Sequence, residues 1–217
     1  MTAMQSTGSA AAAERITELR TRVKRLGDGE LDLLFREARS MNTFTSRSVA
    51  EELLREMVSL TQLGPTSNNC QPARFVFVRT PDGRQRLLQA VSPGNTPKVL
   101  SAPVTVIVGH DLGFFDHLRL LFPHRDTSET YRSNPGLAGE TAFRNGSLQG
   151  AYMMLAARSL GLDAGPISGF DNGKVDELFF QGTAIKSNFL CNLGYGDERR
   201  VFERHPRLDF DSACAFA

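Results

Sequence analysis

Residues 138–160 constrain this chain most, because they read as one long helix whose centre, 151–157, is apolar on every side. A helix without a polar face must bury its whole circumference, in a core or between molecules. Other elements must therefore surround it, and periodicity marks several. Leu31, Leu34, Phe35 and Ala38 recur at helical spacing and predict a helix over 30–40. A second stripe, Val49, Leu53, Leu54, Met57, Val58 and Leu60, starts after Ser48 and stops at Gly64-Pro65. Residues 14–26 predict a polar helix, broken by Gly27-Asp28-Gly29 and preceded by a frayed tail.

Three short runs read as strands: Phe75-Val76-Phe77-Val78, the fully apolar 104–108, and 189–193. Pro81-Asp82-Gly83 predicts a turn before a short helix over 85–91, and another short helix is expected over 174–180. Gly161 caps the long helix, and 165–169 is expected as a tight turn. Residues 111–136 are irregular, a lid or an insertion, and the end of the chain reads as coil. Helices outnumber strands without alternating regularly, which predicts an α+β fold with helices around a central mixed or antiparallel sheet.

Charge and cysteine usage exclude several classes. The 25 Lys and Arg against 24 Asp and Glu leave a formal charge of +1, without the basic field of a nucleic-acid binder. No run approaches the roughly 20 apolar residues that span a bilayer. Cys70, Cys191 and Cys214 form no CxxC pair, and the start lacks the basic and apolar regions of a secretory leader, so a cytoplasmic protein is expected. His110, His117 and His124 lie seven apart, the wrong spacing for ligands on one helical face, and no metal site is expected.

Familiar signatures fail on inspection. Gly194-Tyr195-Gly196 opens a dinucleotide fingerprint, but Arg199 stands where the third glycine belongs. Residues 169–174 are one short of a phosphate loop, and 165–169 do not form a nucleophile elbow. What remains is a scattered polar set. Arg39-Ser40 and Arg207 offer the forked donors and hydroxyl that suit a phosphate, although each arginine alone also reads as a surface residue. Thr66-Ser67-Asn68-Asn69, between Pro65 and Pro72, is a stiffened loop of short donors and acceptors, or an ordinary Asx turn. Asn95-Thr96-Pro97-Lys98 pairs an amide with an ammonium, or simply caps a helix.

In this order and spacing the pieces resemble the nitroreductase-like flavoprotein family, especially its malonic semialdehyde reductase branch of pyrimidine utilisation. The resemblance is carried by residues 64–74 (GPTSNNCQPAR), 140–145 (ETAFRN) and 165–171 (GPISGFD), and extended by 186–188, 194–197 and 206–208. It covers about residue 31 to the end, implying one FMN-binding domain over 31–217, with a tail and an extra helix over 1–30. It implies an intertwined homodimer with FMN between subunits and NAD(P)H as hydride donor. Arg39, Ser40 and Asn42 match the segment that holds the phosphate and the flavin's pyrimidine edge. Pro65, Thr66, Ser67 and Asn69 match the loop reaching the partner's flavin, and Asn95 and Lys98 match a pair at the pyrimidine end. Pro166, Ile167, Ser168 and Gly169 match a turn along the flavin's N5 edge, and Arg207 matches a phosphate contact. Ala38 and Asn42 stand where the family often carries cations.

The implied reaction is a two-step hydride exchange that reduces malonic semialdehyde to 3-hydroxypropionate and needs no catalytic side chain. Arg144 or Arg125 would meet the substrate's carboxylate. A broad nitro- or quinone-reducing enzyme and a flavin-binding module without turnover are the alternatives.

Overall fold

The computed structural model describes residues 9–217. Its contacts divide the chain after Glu37 into two compact units.

The first unit carries α1 (Ala10–Arg22) and α2 (Asp28–Leu31), the latter running on into a π-helical turn over Asp32–Arg36. The tail expected over the first dozen residues lies partly outside the described residues. From Ala10 onward it is helix, because Ser9 caps the first turn through the Ala12 amide and an alanine run follows. The helix expected over 30–40 begins at Asp28 and ends at Arg36, whose guanidinium holds Asp28 and Asp32 at 2.9 and 3.1 Å.

The second unit, from Ala38, contains every other element. In chain order these are α3 (Glu51–Thr61), β1 (Ala73–Val78), α4 (Pro81–Leu88), α5 (Thr96–Ser101) and β2 (Val104–Asp111). They are followed by α6 (Leu118–Leu121), α7 (Ser128–Arg132), α8 (Pro135–Ser159), β3 (Asp163–Ile167), α9 (Asn172–Phe179), β4 (Ile185–Gly194) and α10 (Phe210–Ala213). The four strands form one antiparallel sheet in the order β1-β2-β4-β3. Helices cover both faces, so the fold is α+β as expected.

The central strand β2 is buried along nearly its whole length, which explains its unbroken apolar run. Its alternating side chains feed two cores. Val106 and Val108 join Leu54 and Met57 of α3 and Met153 and Ala157 of α8. Ile107 joins Leu87 of α4, Val99 of α5, Val175 of α9 and, in register across the sheet, Leu190 and Ile167.

Two local expectations are corrected. Pro81-Asp82-Gly83 is no turn but the first turn of α4, because Thr80 caps it by accepting from the Gly83 amide at 3.1 Å and proline suits the first helical position. Residues 165–167 belong to β3 and do not form a tight turn. Pro166 is tolerated there because β3 is an edge strand, where a missing N–H removes no bond from the ladder interior. Residues 111–136 are ordered: a 3-10 turn over Phe114–His117, α6 and α7 gather Phe114, Leu118 and Tyr131 into a third small core with Cys70 and Ala142.

His110, near the end of β2, is 8% exposed, with the Phe143 ring edge-on at 5.6 Å. Burial moves its pKa below the ordinary 6.5; Lys186 acts in the same direction and Asp176 opposes. As the pH falls through 6.5, the unfolded chain protonates this imidazole before the folded one does, so stability present at neutral pH is lost. His110→Gln is therefore expected to flatten the decline in stability between neutral pH and about pH 5.5, measured by urea unfolding. An unchanged slope would remove His110 as its source.

Candidate functional site

The site begins on α8. Within this apolar helix, Asn145 and Gln149 lie one turn apart on one face, at 1% and 2% exposure. Asn145 Oδ1 accepts from the Ser67 amide at 2.8 Å, and its Nδ2 donates to the Thr141 carbonyl at 2.8 Å. Gln149 Oε1 accepts from the Ala73 amide at 2.9 Å. The two side chains thus fix the start of the 66–72 loop and the first residue of β1.

Between those anchors, Asn68, Asn69 and Gln71 have φ of 51°, 50° and 40°, a left-handed conformation that costs about 1–3 kcal/mol per non-glycine residue. Polar side chains hold it. Thr66 Oγ1 accepts from the Gln71 amide at 3.2 Å, Gln71 Nε2 donates to Asn69 Oδ1 at 2.8 Å, and Asn69 Nδ2 donates to the Leu121 carbonyl at 2.9 Å. Pro65 and Ser67 are exposed and Thr66 is half-buried. Asn69 therefore ties the loop to the 111–136 segment.

A second group forms on β3. Ser40 bridges Ala164 in parallel, and the Met41 amide donates to the Ala164 carbonyl at 3.0 Å, so residues 39–42 lie along the sheet's edge. The backbones meet so closely that a Cβ on Gly165 would stand 2.2 Å from the Met41 carbonyl oxygen, which restricts the position to glycine. Arg39 Nη1 and Arg204 Nη2 both donate to the Ala38 carbonyl, at 3.2 and 2.8 Å. Beyond β3, the Gly169 carbonyl accepts from the Ser92 amide and from Asn95 Nδ2, each at 3.1 Å. That clamp joins the end of β3 to the start of α5 and places Lys98 beside it.

Lys98 and Asn42 are half-buried and line one cavity of about 620 Å³, together with Pro97, Arg199, Arg200 and Phe202. A separate cavity of about 500 Å³, beside Leu54 and Phe77, touches none of the expected residues.

The expected residues thus fall into two groups: Pro65, Thr66, Ser67 and Asn69 on the loop, and Arg39, Ser40, Asn42, Asn95, Lys98 and Gly169 around β3 and α5. Pro166 and Ser168 are exposed beside the second group. The Ile167 side chain is in the core at 5% exposure, leaving only its backbone for a ligand. Arg207 is exposed and donates to the His205 and Pro206 carbonyls at 2.8 and 3.2 Å. Arg144 is paired with Glu140, its neighbour one turn away. Gln149, Arg199, Arg200 and Arg204 were not anticipated. Asn145 and Gln149 were detectable as a polar pair at i, i+4 within an apolar helix, whereas the three arginines carry no local signal.

The nitroreductase family model matches residues 35–195. A protein of Burkholderia lata, named as a candidate NADH dehydrogenase/NAD(P)H nitroreductase, is 56% identical over 186 residues, 86% of this chain and 95% of its own length. A candidate nitroreductase of Bacillus subtilis has the same fold, with a TM-score of 0.79 at 24% identity, covering 88% of this chain and 100% of that one. So does a candidate nitroreductase in complex with FMN from Exiguobacterium sibiricum, with a TM-score of 0.74 at 18% identity, covering 89% and 99%.

Asn145→Ala is expected to lower stability by about 1–3 kcal/mol, since it strands the Ser67 amide. It should also speed proteolysis of the 66–72 loop; equal protease resistance in variant and parent would show that the loop holds itself. Cys70 lies just inside this loop at 1% exposure, and burial raises its thiol to about 11; Cys191, fully buried, is raised to about 12. At about pH 8 such thiols are almost wholly protonated, so a thiol reagent should label exposed Cys214 at once and the other two only on unfolding.

Proposed function

Because the chain belongs to the nitroreductase family, we propose that it is an FMN-dependent NAD(P)H oxidoreductase that works as a homodimer and reduces malonic semialdehyde to 3-hydroxypropionate. The observation that carries this reading is the cavity lined by Asn42 and Lys98 without a lining carboxylate, each next in the chain to an anchored segment, Ser40 on the edge of β3 and the Asn95–Gly169 clamp. The donor set fits FMN: amides and a backbone edge suit a planar heterocycle, and cations suit a phosphate. FMN, when bound, supplies the hydride chemistry at N5, so no nucleophilic side chain is needed.

The chain's own residues bind and orient. Arg39, Ser40 and Arg207 would hold the phosphate, Asn42 and Asn95 would meet the pyrimidine edge, and Pro166, Ile167, Ser168 and Gly169 would offer backbone groups to the N5 edge. Lys98 would set positive charge beside the pyrimidine end, where it would favour negative charge on the ring. The apolar outer side of α8 supports the homodimer: Phe143, Leu148 and Tyr152 are 54%, 46% and 40% exposed, and Leu63 after α3 is 79% exposed. On a second copy Pro65, Thr66, Ser67 and Asn69 would complete the partner's site.

A second reading, a broad NAD(P)H nitroreductase or quinone reductase, is favoured by the name of the Burkholderia lata relative. Comparing kcat/KM for malonic semialdehyde with that for a nitroaromatic decides between them. A clear preference for the aldehyde supports the first, and a preference for the nitroaromatic the second.

Purified protein is expected to be yellow and to lose its flavin absorption when NADH or NADPH is added; colourless protein that also fails to take up FMN overturns the reading. Lys98→Ala should slow flavin reduction roughly tenfold or more and lower the flavin's midpoint potential, with the dimer intact. An unchanged potential would remove Lys98 from the ring's surroundings. Arg207→Ala should weaken FMN retention while leaving turnover per bound flavin near that of the parent. Equal retention takes that residue out of the site.

A further inference from the structure

Arg74, the second residue of β1, is half-buried beside the 66–72 loop and uses its guanidinium on three partners. Nη2 donates to Asp111 Oδ2 at 2.7 Å, and Nη1 donates to the Ala73 and Gln71 carbonyls at 2.9 and 3.1 Å. Asp111 is itself fixed at the end of β2. Its Oδ1 accepts from the Gly113 amide at 2.8 Å, and its own amide donates to the Pro72 carbonyl at 2.9 Å. The two side chains are 29% and 15% exposed, so water weakens this pair less than it weakens a surface one. Gln71 is the left-handed residue nearest β1; Arg74 takes its carbonyl, and Asn69 takes its side chain. A continuous path of hydrogen bonds then runs from Asp111 through Arg74, Gln71 and Asn69 to the Leu121 carbonyl. Both ends of that path rest on residues 111–121, so the loop is clamped within a closed ring.

The anchors on α8 reach Ser67 and Ala73, whereas Arg74 acts on the strained stretch between them. We infer that Arg74 is a positioning residue, whose forked guanidinium sets the conformation in which Thr66, Ser67 and Asn69 meet the flavin of a second copy. The shape of the donor matters more than its charge. A planar fork spans a carboxylate and a pair of carbonyls in fixed directions. A lysine ammonium, one point on a flexible stem, can serve the carboxylate but not both. The inference rests on the FMN reading above and adds to it a residue that acts through the loop.

The test compares Arg74→Lys with Arg74→Gln in the purified protein loaded with FMN. Arg74→Lys keeps a cation opposite Asp111 and should unfold in urea close to the parent. It should nevertheless bind FMN about tenfold more weakly, the loss of one charge-assisted contact, and alter the visible circular dichroism of the bound flavin. Arg74→Gln, which leaves Asp111 unpaired, should lose both stability and FMN binding. Protease should cut the 66–72 loop faster in both. Parent-like FMN affinity and circular dichroism in Arg74→Lys overturn the inference, and so does a loss of FMN that only follows the unfolded fraction in both variants. If the parent takes up no FMN, the flavin reading falls and loop cleavage alone decides: faster cleavage in Arg74→Lys supports the clamp, and equal cleavage overturns it.

Discussion

The hydrogen bond from the Ser67 amide to Asn145 Oδ1 joins the long helix to the loop, and much of the site's geometry depends on it. An amide side chain inside an apolar helix is costly unless each of its polar atoms is satisfied. Asn145 meets that condition by accepting from the loop and donating to its own helix at Thr141. Gln149 repeats the device one turn later on Ala73. Because both partners are backbone amides, substitutions within the loop leave the anchors in place. The anchors in turn allow three residues of the loop, Asn68, Asn69 and Gln71, to stay left-handed. A loop free to relax would not keep that strain.

Much of the fold was legible because it follows from local pattern. The stripe of α3 and the unbroken apolar run of β2 each match one face or both faces buried, and the structure places them so. The misreadings share a cause. Gly165-Pro166 and Pro81-Asp82-Gly83 carry residues that usually punctuate chains, yet one lies in an edge strand and the other in the first turn of a helix, where proline is allowed. Whether proline breaks or begins an element depends on which hydrogen bond its neighbours require, and that is a tertiary fact. The long helix was anticipated over most of its length, but its apolar centre concealed that the polar pair just before it faces inward.

The candidate site divides along the same line. Gly165 could be marked as special from sequence, but its reason, the Met41 carbonyl 2.2 Å from where a Cβ would stand, exists only once residues 39–42 lie along β3. Likewise Asn95 read equally well as a helix cap; its side chain instead binds the Gly169 carbonyl and gives α5 no cap. Arg199 and Arg200 lie about a hundred residues from Lys98 in the chain and meet it only at the cavity.

A net charge near zero conveys little about such a site, because what matters is which cations lack partners. Arg36, Arg55, Arg74, Arg119, Arg132 and Arg144 each hold a carboxylate. Most of these pairs are exposed and contribute little to stability. Their larger consequence is electrostatic. A paired guanidinium projects little field beyond its partner, whereas Lys98, among the described residues, holds no carboxylate in the cavity it lines. Moving that cation beside a carboxylate would keep the net charge and weaken the attraction for an anion. The chain is nearly neutral as a whole, yet the charged residues lining this cavity are cations alone.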